Sequence, residues 1–532
     1  MKRKRWTAIT GLLIVLIGLT ALWAPTLWAD AQNINQQLGK LGFVLRVIRD
    51  VYVEEPDMNK VFDGAIRGLL ETLDPHSAYI PADAQKRISE RFHGEFEGIG
   101  IQFVIQNKVL TVVSPIPGTP ADRLGIRAGD RIIRIEDVSA YGITNEEVFD
   151  KLRGPKGTQV TVTVSREGIP DPMDFTITRD KIPIHSVSAA LLLDDDKTGY
   201  VKITQFTAIT EDEVTQSIDS LQTLGMKQLV LDLRGNPGGY LEQAWRVADL
   251  FIAEEGKTIV YTKGRVAKSN KTYVSTGRGE KYGFPLIVLL SHGSASASEI
   301  VAGAIQDLDR GLIAGQTSFG KGLVQTPFNL PDESVVRITT ARYYTPSGRL
   351  IQRPYDKGLA DYIEEGREDE DVSEIDTTER EVFYTAGGRV VYGGGGIRPD
   401  TIIVPERAEA QTFRLMSQRL FFEYASDFAL KHPELSEDFR EFSQEFRVTD
   451  EMMNDFEELI KSKDFELDTA AFHTDDGFIR TTLRGEIAST LFNNRQYYYA
   501  VQIQGDSQVA AARTLFDRAG EIAELGAAHI MD

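Results

Sequence analysis

Between residues 182 and 354, short apolar runs alternate with longer amphipathic segments. The runs GYVKITQF, QLVLDLRG, PLIVLLS and GLIAG are each typical of a strand. Between them lie TEDEVTQSIDSLQTLG, YLEQAWRVADLFI and SEIVAGAIQDL, whose apolar residues have helical spacing. Strands that alternate with helices predict a sheet with helical crossovers, and therefore an α/β core.

The segments on either side of this core have different patterns. Residues 33–92 have helical spacing, interrupted at Pro75 and Pro81, whereas residues 94–181 contain short alternating runs and turn residues typical of a small, mostly β domain. The chain is therefore predicted to be a multidomain α/β protein. Its predicted parts are a transmembrane signal-anchor at 1–29, a helical N-terminal region at 30–92, a mostly β domain at 93–181, an α/β core at 182–355 and 382–405, an acidic loop at 356–381, and a helical C-terminal extension at 406–532.

Charge and composition exclude several classes of function. The net charge of −20 argues against a nucleic-acid-binding surface, which needs clustered Lys and Arg. The chain has no cysteine, so it has no thiol nucleophile, thiolate zinc site or disulfide. Its seven histidines form no H-E-x-x-H motif. We therefore expect neither a metal nor another cofactor.

The N-terminus predicts attachment to a membrane. The basic sequence MKRKR is followed by 24 uncharged residues, from Trp6 to Ala29, and a spanning helix needs roughly 20 apolar residues. The basic cluster should remain in the cytoplasm, which places the body of the protein on the extracytoplasmic, periplasmic side. The alternative is a cleaved signal peptide ending at Leu27-Trp28-Ala29 and a soluble periplasmic protein.

A turn rich in small residues separates the strand PLIVLLS from the helix that follows it. Ser296 and Glu299 fit the capping box S-x-x-E, so the simplest interpretation of Ser296 is a helix cap. The same position suits a nucleophile, because N–H groups at a helix N-terminus can stabilise an oxyanion. A serine nucleophile also needs a base that takes its proton.

Lys321, in GQTSFGKGLVQ, is the stronger of two candidate bases. The other is His292, whose position gives it no obvious direction toward Ser296. A lysine acts as a base only when it is neutral, which requires burial or nearby positive charge to lower its pKa. Gly320 and Gly322 would allow close packing around it. In an extended segment, Gln325 would lie on the same face as Lys321 and could orient it.

A nucleotide-binding interpretation of the same stretch is weaker. Residues 315–321 nearly match a P-loop, but Gly322 stands where a Ser or Thr should hold magnesium. The residues that follow also make a poor helix start, since Pro327 and Pro331 interrupt them.

Five stretches together resemble the carboxy-terminal processing peptidases, also called tail-specific proteases. They are SASASEIVAGAIQD, GQTSFGKGLVQ, LDLRGNPGG, LDPHSAY and PGTPADRLGIRAGDRIIRIEDV, of which the last is typical of a PDZ domain. The resemblance covers roughly residues 40–354 and 388–404, and implies a crotonase-like α/β serine protease core with an inserted PDZ domain.

The resemblance also assigns roles by position. It implies that Ser296 is the nucleophile, Lys321 the general base and Gln325 the residue that orients Lys321. The oxyanion hole would use the backbone N–H of Ala297 and that of Gly238 or Gly239. At His292 the sequence departs from the family, where relatives commonly carry an Asn-type residue.

The PDZ segment predicts the partner. In FEGIGIQFVI, the turn formed by Gly98, Ile99, Gly100 and Ile101 could bind a terminal carboxylate while a peptide adds as a strand beside residues 101–104. The simpler interpretation is a plain hairpin turn.

These observations predict a serine endopeptidase that recognises the free C-termini of protein or peptide substrates. The alternatives are a non-catalytic peptide-binding scaffold on the same fold, a nucleotide hydrolase at residues 315–321, and a Ser-His-Asp protease that carries a PDZ domain. The last lacks a suitable G-x-S-x-G motif. The sequence is also compatible with a homo-oligomer.

Overall fold

The computed structural model describes residues 33–356, 362, 380–463 and 465–528. The chain divides into two units: one contains the residues up to Ile80 together with Val336–Ile338, and the other contains Pro81–Val335 and the residues from Thr339 onwards. Among the described residues, no helix is both long and apolar enough to span a membrane. The predicted signal-anchor at 1–29 and most of the acidic loop lie outside these residues.

The first unit is mainly helical, as the sequence predicts. Residues 33–51 form one helix and Met58–Glu71 a second, which Asp57 caps by accepting the N–H groups of Asn59 and Lys60. The proline-bounded stretch contains the short strand Ala78–Ile80, which pairs with the strand Val335–Tyr344.

A ribbon of two strands connects the mostly β domain to the rest of the second unit. The helix Ala82–His93 leads into Glu95–Gly98, which pairs antiparallel with Asp180–Pro183. Between these strands lies one sheet with its own apolar core. In sheet order its strands are Ile101–Gln106, Val109–Pro115, Arg131–Ile135, Gln159–Ser165 and Met173–Thr178, with Val138–Ser139 paired to the third; the helices are Pro120–Arg123 and Asn145–Leu152.

The predicted α/β core contains a six-stranded sheet. In sheet order its strands are Val187–Leu192, Thr198–Ile203, Gln228–Asp232, Leu286–Leu290, Leu312–Gly315 and Thr401–Ile402. The first pair is antiparallel and all the others are parallel. The crossover helices are Thr210–Thr223, Leu241–Asp249 and Ala297–Asp307. The alternation predicted from residue 182 onwards is therefore confirmed.

The two faces of this sheet are covered by different parts of the chain. Leu229 and Leu231 belong to a cluster with the three crossover helices, whereas Val230 lies in a separate cluster on the opposite face. That second cluster includes Val509 and Phe516 of the C-terminal extension. Parallel sheets are normally covered on both sides, and here the extension supplies the second helical layer.

The remainder of the extension forms a second, aromatic-rich core of its own. The helices of the whole extension, all predicted only as a helical region, are Ala410–Ser417, Leu420–Lys431, Phe439–Glu445, Asp450–Ser462, Thr469–Thr474, Asp476–Leu491, Gln496–Gln504, Ser507–Arg513 and Phe516–Ala528, with a 3-10 turn at Pro433–Ser436; the last two of these helices belong to the layer on the sheet. The aromatic-rich part also contacts the mostly β domain, where Gln106 donates to Glu423 at 2.8 Å and the Ala128 N–H donates to Asn493 at 2.8 Å.

Antiparallel strands form further pairs beside the core. Glu255–Lys263 pairs with Lys271–Thr276 and with Val335–Tyr344, and Leu323–Asn329 pairs with the last of these. Val382–Tyr384 pairs with Val390–Tyr392. The 3-10 turn Ala267–Ser269 connects the first of these pairs, and a second 3-10 turn, Arg278–Tyr282, leads from Lys271–Thr276 to the core strand Leu286–Leu290.

Candidate active site

Ser296 occupies a strained position at the start of a helix. It follows the buried strand Leu286–Leu290 and immediately precedes Ala297–Asp307, with φ 55° and ψ −108°. A positive φ is unfavourable for a residue with a side chain and is found most often where surrounding contacts enforce it. The side chain is half-buried, so it is accessible from outside.

The other two serines of the turn have structural hydrogen bonds. The Ser294 hydroxyl donates to the Leu233 carbonyl at 2.8 Å, and the Ser298 hydroxyl donates to the Asn236 carbonyl at 3.0 Å. Both side chains are fully buried. Of the three serines, Ser296 is therefore the accessible one, and its neighbours attach the turn to residues 233–236.

The glycine loop, defined here as residues 235–239, lies directly against this turn. A Cβ atom placed on Gly238 would lie 2.8 Å from the Ser296 Cβ and 2.9 Å from the Ala297 nitrogen. On Gly239 it would lie 1.9 Å from the Phe206 carbonyl oxygen. Glycine is therefore required at both positions for this close approach, and the structure brings Gly238, Ser296 and Ala297 together.

Within the glycine loop, one predicted oxyanion donor is already engaged. The Gly238 N–H donates to the side-chain oxygen of Asn236 at 2.8 Å. Asn236 is fully buried, and its amide group donates to the Ile203 carbonyl at 2.9 Å. The asparagine therefore determines the conformation of the loop.

Lys321 lies in an irregular segment between two strands. Leu312–Gly315 ends just before this segment, and the next element, Leu323–Asn329, is a strand. Because no helix starts after Lys321, the geometry of a P-loop is absent from this described stretch. The side chain of Lys321 is half-buried. A Cβ on Gly322 would lie 2.9 Å from the Gln352 nitrogen, which accounts for the glycine there.

A buried carboxylate connects the segments that carry Ser296 and Lys321. Glu299 Oε2 accepts the Ser296 N–H at 2.6 Å and the Lys321 N–H at 3.0 Å. Its Oε1 accepts the Ser318 hydroxyl at 2.6 Å and the Gly320 N–H at 2.7 Å. Burial raises the pKa of the Glu299 carboxyl, and these hydrogen bonds oppose the increase. The carboxylate half of the predicted capping box is present, since Glu299 accepts the Ser296 N–H, but this glutamate also binds the lysine segment.

A tyrosine contacts the same two residues. The Tyr343 hydroxyl lies 3.1 Å from the Ser296 carbonyl oxygen and 2.7 Å from that of Lys321, and its one proton is shared between these two acceptors. Burial, followed by the nearby charge of Glu299, raises the pKa of Tyr343. Glu299 and Tyr343 therefore fix the backbones of two residues that are 25 positions apart in the sequence. The sequence pattern gives no sign of the role of Tyr343, and it indicates Glu299 only as a cap.

The two remaining candidates lie close to these segments in sequence. Gln325 is on the strand after Lys321, and its amide donates to the Thr339 hydroxyl at 3.4 Å. His292 is half-buried in the turn before Ser296. Among the residues with assigned positions, no group of three or more His, Asp or Glu is arranged to hold a metal ion.

The predicted peptide-binding loop lies at an open edge of the β domain. Gly98 ends one strand, and Ile101 begins the edge strand of the domain's sheet. Gly100 between them has φ 86°, and a Cβ there would lie 2.3 Å from the side chain of Thr119. The edge strand faces the helix Asn145–Leu152, and the rings of Phe103 and Phe149 lie 5.5 Å apart.

Comparison with known protein families finds matches to four stretches of the chain. Residues 197–362 match the model of peptidase family S41, and residues 111–166 match a PDZ domain. Residues 25–84 match the activating protease CtpB N-terminal domain, and residues 412–493 match a family of unknown function (DUF8443).

Individual relatives are carboxy-terminal processing proteases. The chain is 42% identical over 327 residues to the carboxy-terminal-processing protease of Bartonella bacilliformis, covering 61% of this chain and 74% of that protein. It is 36% identical over 325 residues to the carboxy-terminal processing protease CtpA of Bacillus subtilis, covering 61% and 68%. A solved structure of a photosystem II D1 C-terminal processing protease is 30% identical with a TM-score of 0.32, covering 58% and 88%. The chain therefore belongs to the carboxy-terminal processing proteases of peptidase family S41, which are serine-type peptidases with a PDZ domain.

Proposed function

We propose that this protein is an endopeptidase in which Ser296 is the nucleophile and Lys321 the general base. The observation that carries the proposal is the shared attachment of both residues to Glu299 and Tyr343. Such an arrangement fixes two separate segments relative to each other, as a nucleophile and its base require. Loss of casein degradation in a Ser296→Ala variant tests the assignment.

The proposed chemistry is acyl transfer in two steps. The Ser296 hydroxyl attacks the substrate carbonyl as neutral Lys321 takes its proton, and Lys321 then protonates the leaving amine. Water next attacks the resulting ester and loses a proton to Lys321, which returns it to the Ser296 oxygen as the ester bond breaks and the new carboxyl terminus is released. Gln325 lies four residues beyond Lys321 and is proposed to orient it.

The proposed oxyanion hole lies where the glycine loop meets the helix that begins at Ala297. The Ala297 N–H is at the helix N-terminus, where the helix dipole favours negative charge. Gly238 and Gly239 are the candidates for the second donor. Since the Gly238 N–H already donates to Asn236, we favour Gly239 in this conformation.

The PDZ domain is proposed to select substrates by their C-terminal tails. The edge strand Ile101–Gln106 can pair with an added peptide strand, and the backbone from Gly98 to Ile101 would bind the terminal carboxylate. Phe103 and Phe149 make the neighbouring groove apolar, which favours small or apolar final residues.

Amidation of a substrate tail is therefore expected to slow its cleavage. An amide removes the charge that strengthens hydrogen bonding to the loop, so KM should rise roughly tenfold relative to the same peptide with a free Ala or Val end. A tail that ends in Asp should also be cleaved more slowly. The measurement is the initial rate of cleavage over a range of peptide concentrations. Equal rates for free and amidated tails would contradict tail recognition.

Two glycine substitutions localise this effect. Gly100→Ala should reproduce the rise in KM, because its Cβ would clash with Thr119. Gly157→Ala is the control: its φ of 88° imposes similar backbone strain, but no atom lies within 4 Å of its Cβ position. The control should leave the preference for free tails unchanged.

We also propose that residues 6–29 anchor the protein in a membrane, with the catalytic body on the extracytoplasmic side. The support is the basic cluster followed by the uncharged run in the sequence. Full-length protein should then pellet with membranes and resist carbonate extraction. Soluble protein beginning at Asp30 would instead indicate a cleaved signal peptide.

A further inference from the structure

Arg234, the residue immediately before the glycine loop, binds both the core and the C-terminal extension. The guanidinium of Arg234 donates to Asp232 from Nε at 3.0 Å and from Nη2 at 2.6 Å. On its other side it donates to Asp506 from Nη1 at 3.1 Å and from Nη2 at 2.7 Å, and to Gln508 from Nη1 at 2.9 Å. The extension therefore supplies two of the three side chains that this guanidinium binds.

Asp506 balances the charge of a largely buried cluster. Asp232 is fully buried and also accepts from Lys202 at 3.1 Å and from Tyr200. Although burial opposes it, the charges of Arg234 and Lys202 hold the pKa of Asp232 below its usual value. Two cations and one anion would leave an excess positive charge, and Asp506 compensates for it.

Gln508 continues the contact toward the edge of the sheet. Its carbonyl oxygen accepts from Arg234, and its amide donates to the Ile403 carbonyl at 2.6 Å. The side chain is buried. The Arg234 side chain, only 14% exposed, is thus hydrogen-bonded to three other side chains, which restrict its position.

The glycine loop begins at the residue after Arg234. The Gly235 N–H donates to the Ser291 hydroxyl at 3.0 Å, and Asn236 then binds the Gly238 N–H. Gly238 itself approaches Ser296 closely. A shift of Arg234 would therefore move the start of the loop that lies against the proposed nucleophile.

We propose that Asp506 and Gln508 are positioning residues for the active site, which act through Arg234 on the glycine loop. This inference rests on the proposed function, because it assumes that the loop contributes an oxyanion donor beside Ser296. The C-terminal extension would then influence catalysis in addition to covering one face of the sheet.

The variant Asp506→Asn separates this role from a purely structural one. Asp506 also caps the helix Ser507–Arg513 by accepting the Val509 N–H at 3.0 Å, and asparagine caps helices about as well as aspartate. The substitution therefore retains the cap and the shape while removing the charge opposite Arg234.

We expect Asp506→Asn to lower kcat about tenfold with KM for a tail peptide unchanged, since small displacements of catalytic groups have effects of this size or larger. A peptidyl aldehyde, which forms a tetrahedral adduct with a serine hydroxyl, should bind more weakly by a similar factor. Gln508→Met, which keeps the volume but removes the amide, should show a smaller loss of kcat and provides a second test if Asp506→Asn does not fold.

Arg513→Gln is the matched control. Arg513 is on the same helix and attaches it to the core through Asp194 at 2.7 Å and Asp195 at 3.4 Å, without contacting Arg234. This variant should lower the melting temperature while leaving kcat unchanged.

Two results would overturn the inference: wild-type kcat in both Asp506→Asn and Gln508→Met, or an equal loss of kcat in Arg513→Gln. A Ser296→Ala variant in the same assay shows whether the proposed function or only the positioning role has failed. If that variant is active, the proposed function itself fails; if it is inactive while the Asp506 and Gln508 variants match wild type, only the positioning role fails.

Discussion

Replacement of Ser296 by alanine is expected to abolish proteolysis, with kcat/KM falling by at least about 10⁴-fold. The substitution removes the proposed nucleophile but leaves the backbone contacts to Glu299 and Tyr343 in place. Lys321→Ala should have an equally large effect, because no other group would take the serine proton. Degradation of casein and cleavage of a tail peptide measure activity, and thermal unfolding shows whether each variant is folded.

Two other variants and the pH profile test the identity of the base. Gln325→Ala should reduce activity without abolishing it, whereas His292→Ala should retain much of it. Activity should also fall on the acid side, because Lys321 acts only when neutral. If His292→Ala were as inactive as Ser296→Ala, the lysine-base mechanism would be wrong.

The second large effect is expected at Glu299, whose side chain accepts the backbone N–H groups of both Ser296 and Lys321. Glu299→Gln would place an NH₂ group where one carboxylate oxygen now accepts two hydrogen bonds. Either orientation of the amide leaves donors facing donors, and each unpaired buried group costs about 1–3 kcal/mol. We expect kcat to fall about 100-fold, since the backbones of Ser296 and Lys321 would separate.

Glu213→Gln is the matched control for this prediction. Glu213 also accepts two backbone N–H groups, those of Ser186 and Val187 at 2.7 and 3.1 Å, but it contacts neither Ser296 nor Lys321. The Glu213→Gln substitution should therefore destabilise the protein without a comparable loss of kcat. Equal kcat values for wild type and a folded Glu299→Gln variant would contradict the role given to this carboxylate.

The core strands and helices could be predicted because their sequences allow few alternatives. Leu229, Val230 and Leu231 are all apolar, which predicts a strand buried on both faces rather than a half-exposed one. The same run implies a layer on each side of the sheet. Its second layer lies about 280 residues further along the chain, at Val509 and Phe516, and local periodicity carries no information on such distant pairing.

Only the part of the candidate site that depends on neighbouring residues could be predicted from the sequence. The spacing of Ser296 and Glu299 identifies a capping interaction, because both partners lie within one helical turn. It gives no sign that Ser318, Gly320 and Lys321 share the same carboxylate. The contacts of Arg234 with Asp506 and Gln508 likewise depend on how the extension packs against the sheet.

The positive φ of Ser296 has a consequence for how this fold can evolve. Glycine adopts φ 55° without the strain that a serine side chain imposes there, and relief of such strain is worth about 1 kcal/mol or more. A Ser296→Gly change is therefore expected to yield a more stable protein that lacks the proposed nucleophile and keeps its PDZ domain. Selection for stability alone would remove catalysis, so a peptide-binding descendant that has lost its peptidase activity lies a single codon change from this enzyme.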